Sequence, residues 1–412
     1  MAPRFMQRMQ RQSDTLKQVF GSEPVHDPPP YAYSTHSRTT SVSSSRPDNA
    51  SVASATTAPP SYQRSAQINQ IGETTCIPRD STVLVTGANG WLASHVIDKL
   101  LSLGYCVRGT VRDDDKAVWT TQTFCDKYGP DRYTACIVPE MSEPGAYNLA
   151  IKGCSGIIHI ASVTTFSTHA HDVIPPTIMG ALNALEAAAK EPKVRCFVYC
   201  SSVTAAASRG GGLRKEVTSE SWNMGVFKAA WDRLPTENLD RAWSVFASSK
   251  MQAEQAVWKW YREKRPNFVL NCVLPDMLFG RPLTPHQPSL GLSTHILRAV
   301  YESRSRAIEW VPPQHFADVQ DAALVHVAAL ILPGVMSERL FVAAVPYNIN
   351  SLVQLLRGLY PERGINGWVE DHGVDQTTYV ESGRAEELLR RMGKKGWTDM
   401  ETSVSAACES WK

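Results

Sequence analysis

At 412 residues the chain is long enough for one large α/β domain, a smaller lobe and further sequence besides. Charged residues make up 20% and the net charge is +2. Eight of the 42 Lys and Arg and six of the 40 Asp and Glu fall in the first 80 residues, which leaves 34 of each sign beyond them and no basic field for nucleic acid. Nine scattered cysteines with no C-x-x-C pair exclude a zinc site or disulfide framework and suit a reducing compartment.

Residues 1–78 read as a disordered tail, because Ser, Thr and Pro dominate from Pro28 to Ser65 and no apolar periodicity is available to offset ordering entropy. The tail repeats one pattern, Pro28-Pro29-Pro30-Tyr31 and Pro59-Pro60-Ser61-Tyr62, which resembles the P-P-x-Y ligand of WW domains. Two tethered copies would raise effective concentration on a WW-containing partner; chance in a Pro-rich tail is the alternative. The N-terminus has no apolar secretory core, so a cytosolic protein is expected. A mitochondrial presequence built on Arg4, Arg8, Arg11 and Lys17 is the minor alternative. Asn49-Ala50-Ser51 fits a glycosylation acceptor that a cytosolic protein would not use.

From Ser81 the texture changes. Strand-like runs recur at Ser81–Thr86, Tyr105–Arg112, Tyr133–Val138, Gly156–Ile160, Arg195–Cys200 and Phe268–Leu274. Stretches of helical spacing such as Trp91–Leu103 and Pro176–Lys190 lie between them. This alternation predicts a Rossmann-type doubly wound parallel sheet over residues 79–275. Residues 276–412, richer in Pro, Gly and Trp, are expected to form mainly a smaller substrate lobe over the C-terminal edge of the sheet. The most apolar run there, Ala322–Leu332, holds His326 and stops at Pro333, too short to span a membrane.

The first strand runs into Thr86-Gly87-Ala88-Asn89-Gly90-Trp91-Leu92-Ala93, and a helix follows. Gly87 permits the tight turn, Gly90 lets backbone approach a pyrophosphate, and the helix start offers unpaired N–H groups and a positive dipole end. Thr86, Gly87, Asn89, Gly90, Trp91 and Leu92 are therefore candidate cofactor contacts. Ala93 stands where a third glycine often sits. Arg112, at the end of the second strand, with Lys116 one helical turn on, suits the 2′-phosphate of NADP(H). Asp113, which could accept from a ribose hydroxyl, keeps NAD(H) as the second choice.

These segments, with T-V-R-D at Thr110–Asp113, I-I-H-I-A-S at Ile157–Ser162, F-V-Y-C-S-S at Phe197–Ser202, S-S-K-M-Q-A-E at Ser248–Glu254 and V-L-P-D-M-L-F-G at Val273–Gly280, resemble the extended short-chain dehydrogenase/reductases. Within these the chain is similar to the dihydroflavonol reductases and fungal aldehyde/ketone reductases, from Ser81 almost to Trp411. The resemblance implies a catalytic Ser, Tyr and Lys, the last two spaced Y-x-x-x-K. Ser202 matches the serine and Lys250 the lysine, but the tyrosine position is Phe246. It further implies that Glu140, with Met141, contacts the adenine, that Ala161 and Ser162 line the nicotinamide ribose, and that Pro275 and Met277 begin the segment along the nicotinamide face. His159 reads as a core histidine.

Phe246 has no ionisable hydroxyl and cannot act as a general acid, a loss that typically costs about 10² to 10⁴ in rate. A water or substrate group could relay the proton with Ser202 polarising the carbonyl, the reaction could need no proton there, or the protein could bind cofactor without chemistry. The expected function is an NADP(H)-dependent oxidoreductase acting on a carbonyl or conjugated carbonyl of a small, fairly apolar metabolite, with secondary metabolism as the setting that the resemblance implies. A non-catalytic NADP(H)-binding regulator and a nucleotide-sugar epimerase are the alternatives. Monomer and homodimer are both open. His169-x-His171-Asp172 lacks further ligands for a metal, and Arg209–Lys215 reads as a flexible insertion.

Overall fold

The computed structural model describes residues 75–208, 215–232, 238–284, 287, 290–304, 311–366 and 378–411. The tail motifs at Pro28–Tyr31 and Pro59–Tyr62, the N-terminal basic residues, Asn49–Ser51 and all of the run 209–215 except Lys215 lie outside these. Thr75–Pro78, read as the end of the tail, are anchored. Cys76 N–H donates to the Ile331 carbonyl at 2.9 Å, and Ile77 is fully buried in the core.

The strands are β1 (Thr82–Thr86), β2 (Cys106–Val111), β3 (Tyr133–Ile137), β4 (Gly156–His159), β5 (Cys196–Cys200), β6 (Lys215–Val217), β7 (Val269–Pro275), β8 (Met277–Phe279), β9 (Gln314–Asp318), β10 (Arg339–Val342), β11 (Val345–Tyr347) and β12 (Thr378–Val380). The helices are α1 (Trp91–Ser102), α2 (Asp114–Tyr128), α3 (Ala170–Lys190), α4 (Gly225–Trp231), α5 (Leu239–Lys264), α6 (Gly291–Tyr301), α7 (Val319–Ile331), α8 (Ile349–Leu359), α9 (Gly383–Arg391) and α10 (Met400–Cys408).

Seven strands form one sheet in the order β10-β7-β5-β4-β1-β2-β3, every pair parallel. All six strands read from the sequence are in it, and the fold is the doubly wound α/β architecture. Each strand sends alternate residues to opposite faces, and both faces are apolar. Val83, Val85, Ile158, Val198 and Val273 pack with α1, α7 and α9, whereas Leu84, Ile157, Phe197, Tyr199 and Leu274 pack with α3 and α5. A sheet buried on both sides follows from this sequence pattern. The seventh strand, β10, and α7 come from the part of the chain expected to be mainly substrate lobe. The remainder of that region builds a three-stranded sheet, β11-β9-β8, whose core joins α6, α8 and α10.

Two helix starts differ in kind. Asp113 caps α2 by accepting from the Lys116 N–H, whereas α1 starts at Gly90 with no side-chain cap and no acid in its first turn. Helix α3 begins at Ala170, six residues before the expected start at Pro176. Its Pro175 and Pro176 lie inside it and deprive the His171 and Asp172 carbonyls of helical partners. His169 is its N-cap residue and His171 packs edge-on against Trp231. Among the described residues no helix is long and apolar enough to cross a membrane.

Candidate active site

The chain leaves β1 for β2 and β3 on one side and returns to β4 on the other, so the C-terminal ends of β1 and β4 flank the point where strand order reverses. Ligands of open α/β sheets bind in that crevice. Thr86, the last residue of β1, clamps it. Its Oγ1 accepts from the Ile160 and Ala161 N–H groups at 2.9 and 3.0 Å and lies 3.1 Å from His159 Nδ1. Burial holds the His159 pKa down to about 3, so its ring is neutral and Nδ1 can accept the Thr86 hydrogen.

Gly87 follows with φ +71°, and a Cβ there would meet the Ala161 backbone at 3.3 Å. A side chain is thus excluded twice, by conformation and by space. Thr110 fixes the turn from the other side, with Oγ1 accepting from the Gly87 N–H and its carbonyl from the Ala88 N–H. The uncapped start of α1, from Gly90 through Trp91 and Leu92, then opens at the strand ends, one residue beyond Asn89. Trp91 is buried and donates from Nε1 to the Leu278 carbonyl, tying the turn to β8. Ser162 Oγ is buried there with no hydrogen-bond partner. A glycine cradle, an uncapped helix start free of acids and an orphaned hydroxyl fit a dinucleotide's pyrophosphate and ribose.

At the end of β2, Lys116 is ion-paired with Asp113, and that pairing holds the Asp113 carboxyl below its ordinary range. Arg112 beside them is exposed and makes no hydrogen bond or ion pair among the described residues. Glu140 is exposed, its Oε1 accepting from the Ser142 N–H and hydroxyl. Met141 packs where a Cβ on Gly180 would sit, and Asn183 holds the Met141 carbonyl at 2.9 Å.

The chemistry-bearing groups follow β5. Ser202 caps a short 3₁₀ turn, Val203–Ala205, and its Oγ accepts from the Thr204 N–H at 3.2 Å and from Thr204 Oγ1 at 2.9 Å. With both lone pairs engaged, the hydrogen of Ser202 is the part left to donate. Lys250, on α5, is buried and donates from Nζ to the Cys200 carbonyl at 3.2 Å. Burial lowers its pKa, against the opposing influence of Cys200 and Glu254. Phe246 lies one helical turn before Lys250, its ring stacked on Phe166 at 5.0 Å and edge-on to Trp243 at 6.1 Å. Tyr261, further along α5, donates to the Phe268 carbonyl instead. Beyond Thr204 lies a cavity of about 290 Å³, walled also by Ser208, Asn223, Asp240, Trp243 and Ser244. Pro275 ends β7, and Met277 is buried in the core shared by β8 and α6.

Three participants were absent from the sequence reading. Thr110 and Thr204 act through hydroxyls that only the folded register brings to Gly87 and Ser202, although the Ser-x-Thr spacing is itself a short capping pattern. Asn223 pins the cavity wall, donating to the Thr204 carbonyl at 2.9 Å and accepting from Ser208 at 2.7 Å.

Comparison with known proteins agrees with this geometry. Residues 83–334 match the model of the NAD dependent epimerase/dehydratase family. Aldehyde reductase 2 of Sporidiobolus salmonicolor is 36% identical over 329 residues, which cover 80% of this chain and 95% of that protein. The ketoreductase adrE of Penicillium rubens is 34% identical over 338 residues, covering 80% and 96%. The crystal structure of yeast methylglyoxal/isovaleraldehyde reductase Gre2 complexed with NADPH superposes with a TM-score of 0.68 at 22% identity, over 80% of this chain and 97% of that one. The chain belongs to the NAD-dependent epimerase/dehydratase family, the extended short-chain dehydrogenases/reductases.

Proposed function

We propose that this protein is an NADP(H)-dependent oxidoreductase that reduces the carbonyl of a small, fairly apolar molecule. The observation that carries the reading is Ser202, whose Oγ accepts two hydrogen bonds so that its own hydrogen is left to donate, close in sequence to Cys200, whose carbonyl holds Lys250. Relatives named aldehyde reductase and ketoreductase support the carbonyl class.

In this reading the turn from Thr86 through Gly87, Asn89 and Gly90 to Trp91 and Leu92 binds the pyrophosphate with backbone N–H groups. Arg112 takes the 2′-phosphate. Lys116 keeps Asp113 occupied, which removes the carboxylate that would otherwise favour NAD(H). Glu140 and Met141 border the adenine. Ala161, Ser162 and Lys250 hold the nicotinamide ribose, with Pro275 and Met277 along the nicotinamide side. When bound, NADPH supplies hydride to the carbonyl carbon. Ser202 donates a hydrogen bond to the carbonyl oxygen, where negative charge develops, and Lys250 adds a positive field if protonated. Phe246, in the position of the family's tyrosine, forms with Phe166 and Trp243 an apolar wall that excludes water from the reacting carbon.

The setting would be secondary metabolism in the cytosol, with the two P-P-x-Y segments engaging a WW-domain partner. A pull-down with WW domains that Tyr31→Ala plus Tyr62→Ala abolishes supports that partner, and one left unchanged excludes it. The activity is tested by titrating NADPH fluorescence and then offering aldehydes and ketones. Turnover of NADPH supports the reading. Tight binding with no turnover on any carbonyl makes the protein a cofactor-binding regulator instead.

A further inference from the structure

A carbonyl reduced by hydride needs a proton at oxygen, and position 246 cannot give one. Behind Ser202 a second hydroxyl lies within hydrogen-bond reach. Thr204 Oγ1 donates to Ser202 Oγ at 2.9 Å, and the Thr204 N–H fills the second acceptor site of the same oxygen at 3.2 Å. Ser202 therefore has a hydrogen to give and a neighbour able to replace it. Thr204 has given its hydrogen to Ser202, so the lone pairs of its Oγ1 are open to a donor on its other side. Thr204 also lines the cavity, about 290 Å³, whose wall carries Ser208, Asn223, Asp240 and Ser244 among apolar side chains. The polar groups on its wall can hold water, and it is roomy enough for several molecules, each of which takes about 30 Å³. Asp240, an exposed residue, lies at its rim and joins it to solvent. Asn223 holds the Thr204 carbonyl at 2.9 Å, so the relaying residue is fixed on the cavity side as well as on the serine side.

The other candidate donors are engaged or buried elsewhere, Tyr199 with its hydroxyl unpartnered in the core. Tyr261 gives its hydrogen to the Phe268 carbonyl. Tyr199 is fully buried on the α3–α5 face of the sheet, stacked against His159. Lys250 is spent in part on the Cys200 carbonyl.

We propose that the proton completing reduction passes from cavity water through Thr204 to Ser202 and on to the substrate oxygen. The inference rests on the carbonyl-reductase reading above. A C–H bond forms at the carbonyl carbon with the electron pair that the hydride brings, and the carbonyl π pair moves onto oxygen. That oxygen takes the hydrogen of Ser202 Oγ, Ser202 takes the hydrogen of Thr204 Oγ1, and Thr204 is reprotonated by water. Bulk solvent neutralises the hydroxide left behind. The sum is carbonyl plus NADPH plus one proton giving alcohol plus NADP⁺. Thr204 acts through Ser202 and does not itself touch the substrate.

The test compares the full-length wild type with Thr204→Val, which keeps the shape but removes the hydroxyl, and Thr204→Ser, which restores it. With Thr204→Val, kcat should fall by about 10²-fold, the low end of what a positioned proton donor contributes. NADPH affinity, read by fluorescence, should stay within about twofold of the wild type, since no change is made at the glycine turn. Thr204→Ser should recover most of the lost rate. Small buffer acids such as formic acid should raise the rate of Thr204→Val while leaving the wild type unmoved. Full activity in Thr204→Val, or equal losses in the Val and Ser variants without rescue by acid, would overturn the relay. A wild type that binds NADPH and reduces nothing would overturn the underlying reading, so the two failures are distinguishable.

Discussion

The ring of Phe246 stacks on that of Phe166 with centroids 5.0 Å apart and planes 22° from parallel. Phe166 itself has φ +51°, a left-handed conformation costly for a side chain of its size. The fold thus holds an aromatic partner in a strained backbone against the residue one helical turn before Lys250. If the proton came only from position 246, Phe246→Tyr would raise kcat by the full worth of a general acid, about 10² to 10⁴-fold. We expect a change of less than about tenfold, because the proton has another route. Steady-state kinetics on any accepted carbonyl decides between these outcomes.

Among the described residues Arg112, at the end of β2, makes no ion pair, whereas Lys116 is committed to Asp113. Arg112→Ala should weaken NADPH about 10- to 100-fold, the range of a hydrogen bond between charged groups. NADH, which has no 2′-phosphate, should bind within about twofold of its wild-type affinity. Fluorescence titration of both nucleotides checks the contrast. Equal losses for the two would remove Arg112 from phosphate recognition.

His326 is buried in α7 with Nδ1–H donating to the Ala322 carbonyl at 2.7 Å, and burial lowers its pKa from 6.5 to about 4. The unfolded chain therefore takes up a proton between those values that the folded protein refuses. Stability is retained above about pH 6.5 and lost as pH falls toward 4. His326→Leu, similar in volume, should flatten the dependence of unfolding free energy in this window by about 1.4 kcal/mol per pH unit, one proton's worth. Urea unfolding at several pH values measures the slope. His95, lowered to about 4 for the same reason, should preserve part of the remaining dependence.

Glu254 on α5 and Arg339 on β10 form a buried ion pair at 2.7 Å, and Glu254 also accepts from the Ser201 hydroxyl at 2.7 Å. Glu254 is one helical turn beyond Lys250, so the pair fixes the helix that carries the lysine. Glu254→Gln leaves the Arg339 guanidinium buried without a counter-charge and should cost about 3–5 kcal/mol. Arg339→Met on top of it should recover part of that loss. Denaturation of the two single variants and the double variant gives the coupling; additive losses would mean the pair does not act as a unit.

What was legible in the sequence tracks the range of the interactions. The strands β1 to β5 and β7 stand out because a parallel sheet covered on both faces needs near-continuous apolar runs, and these are local. The start of α3 is hidden because Pro176 imitates a first-turn proline. The glycine turn after β1 is legible because Gly87 and Gly90 answer to local backbone geometry. Strand β10 is four residues, Arg-Leu-Phe-Val, and its place beside β7 is decided by burial and by Glu254, 85 positions earlier. Among the site residues, the spacing of Phe246 and Lys250 is helical and visible. The direction of the Thr204–Ser202 hydrogen bond is not, since it depends on how a 3₁₀ turn closes over the end of β5.

In the proposed function the site transfers hydride to a carbonyl despite Phe246. That transfer is tested most directly by single-turnover reaction with NADPH deuterated at the transferred position, followed by mass spectrometry of the product. The expected product is an alcohol carrying one deuterium on the former carbonyl carbon, formed by the wild type and greatly reduced in Ser202→Ala. Bound NADPH that leaves every aldehyde and ketone unlabelled, while Phe246→Tyr labels them, would contradict it.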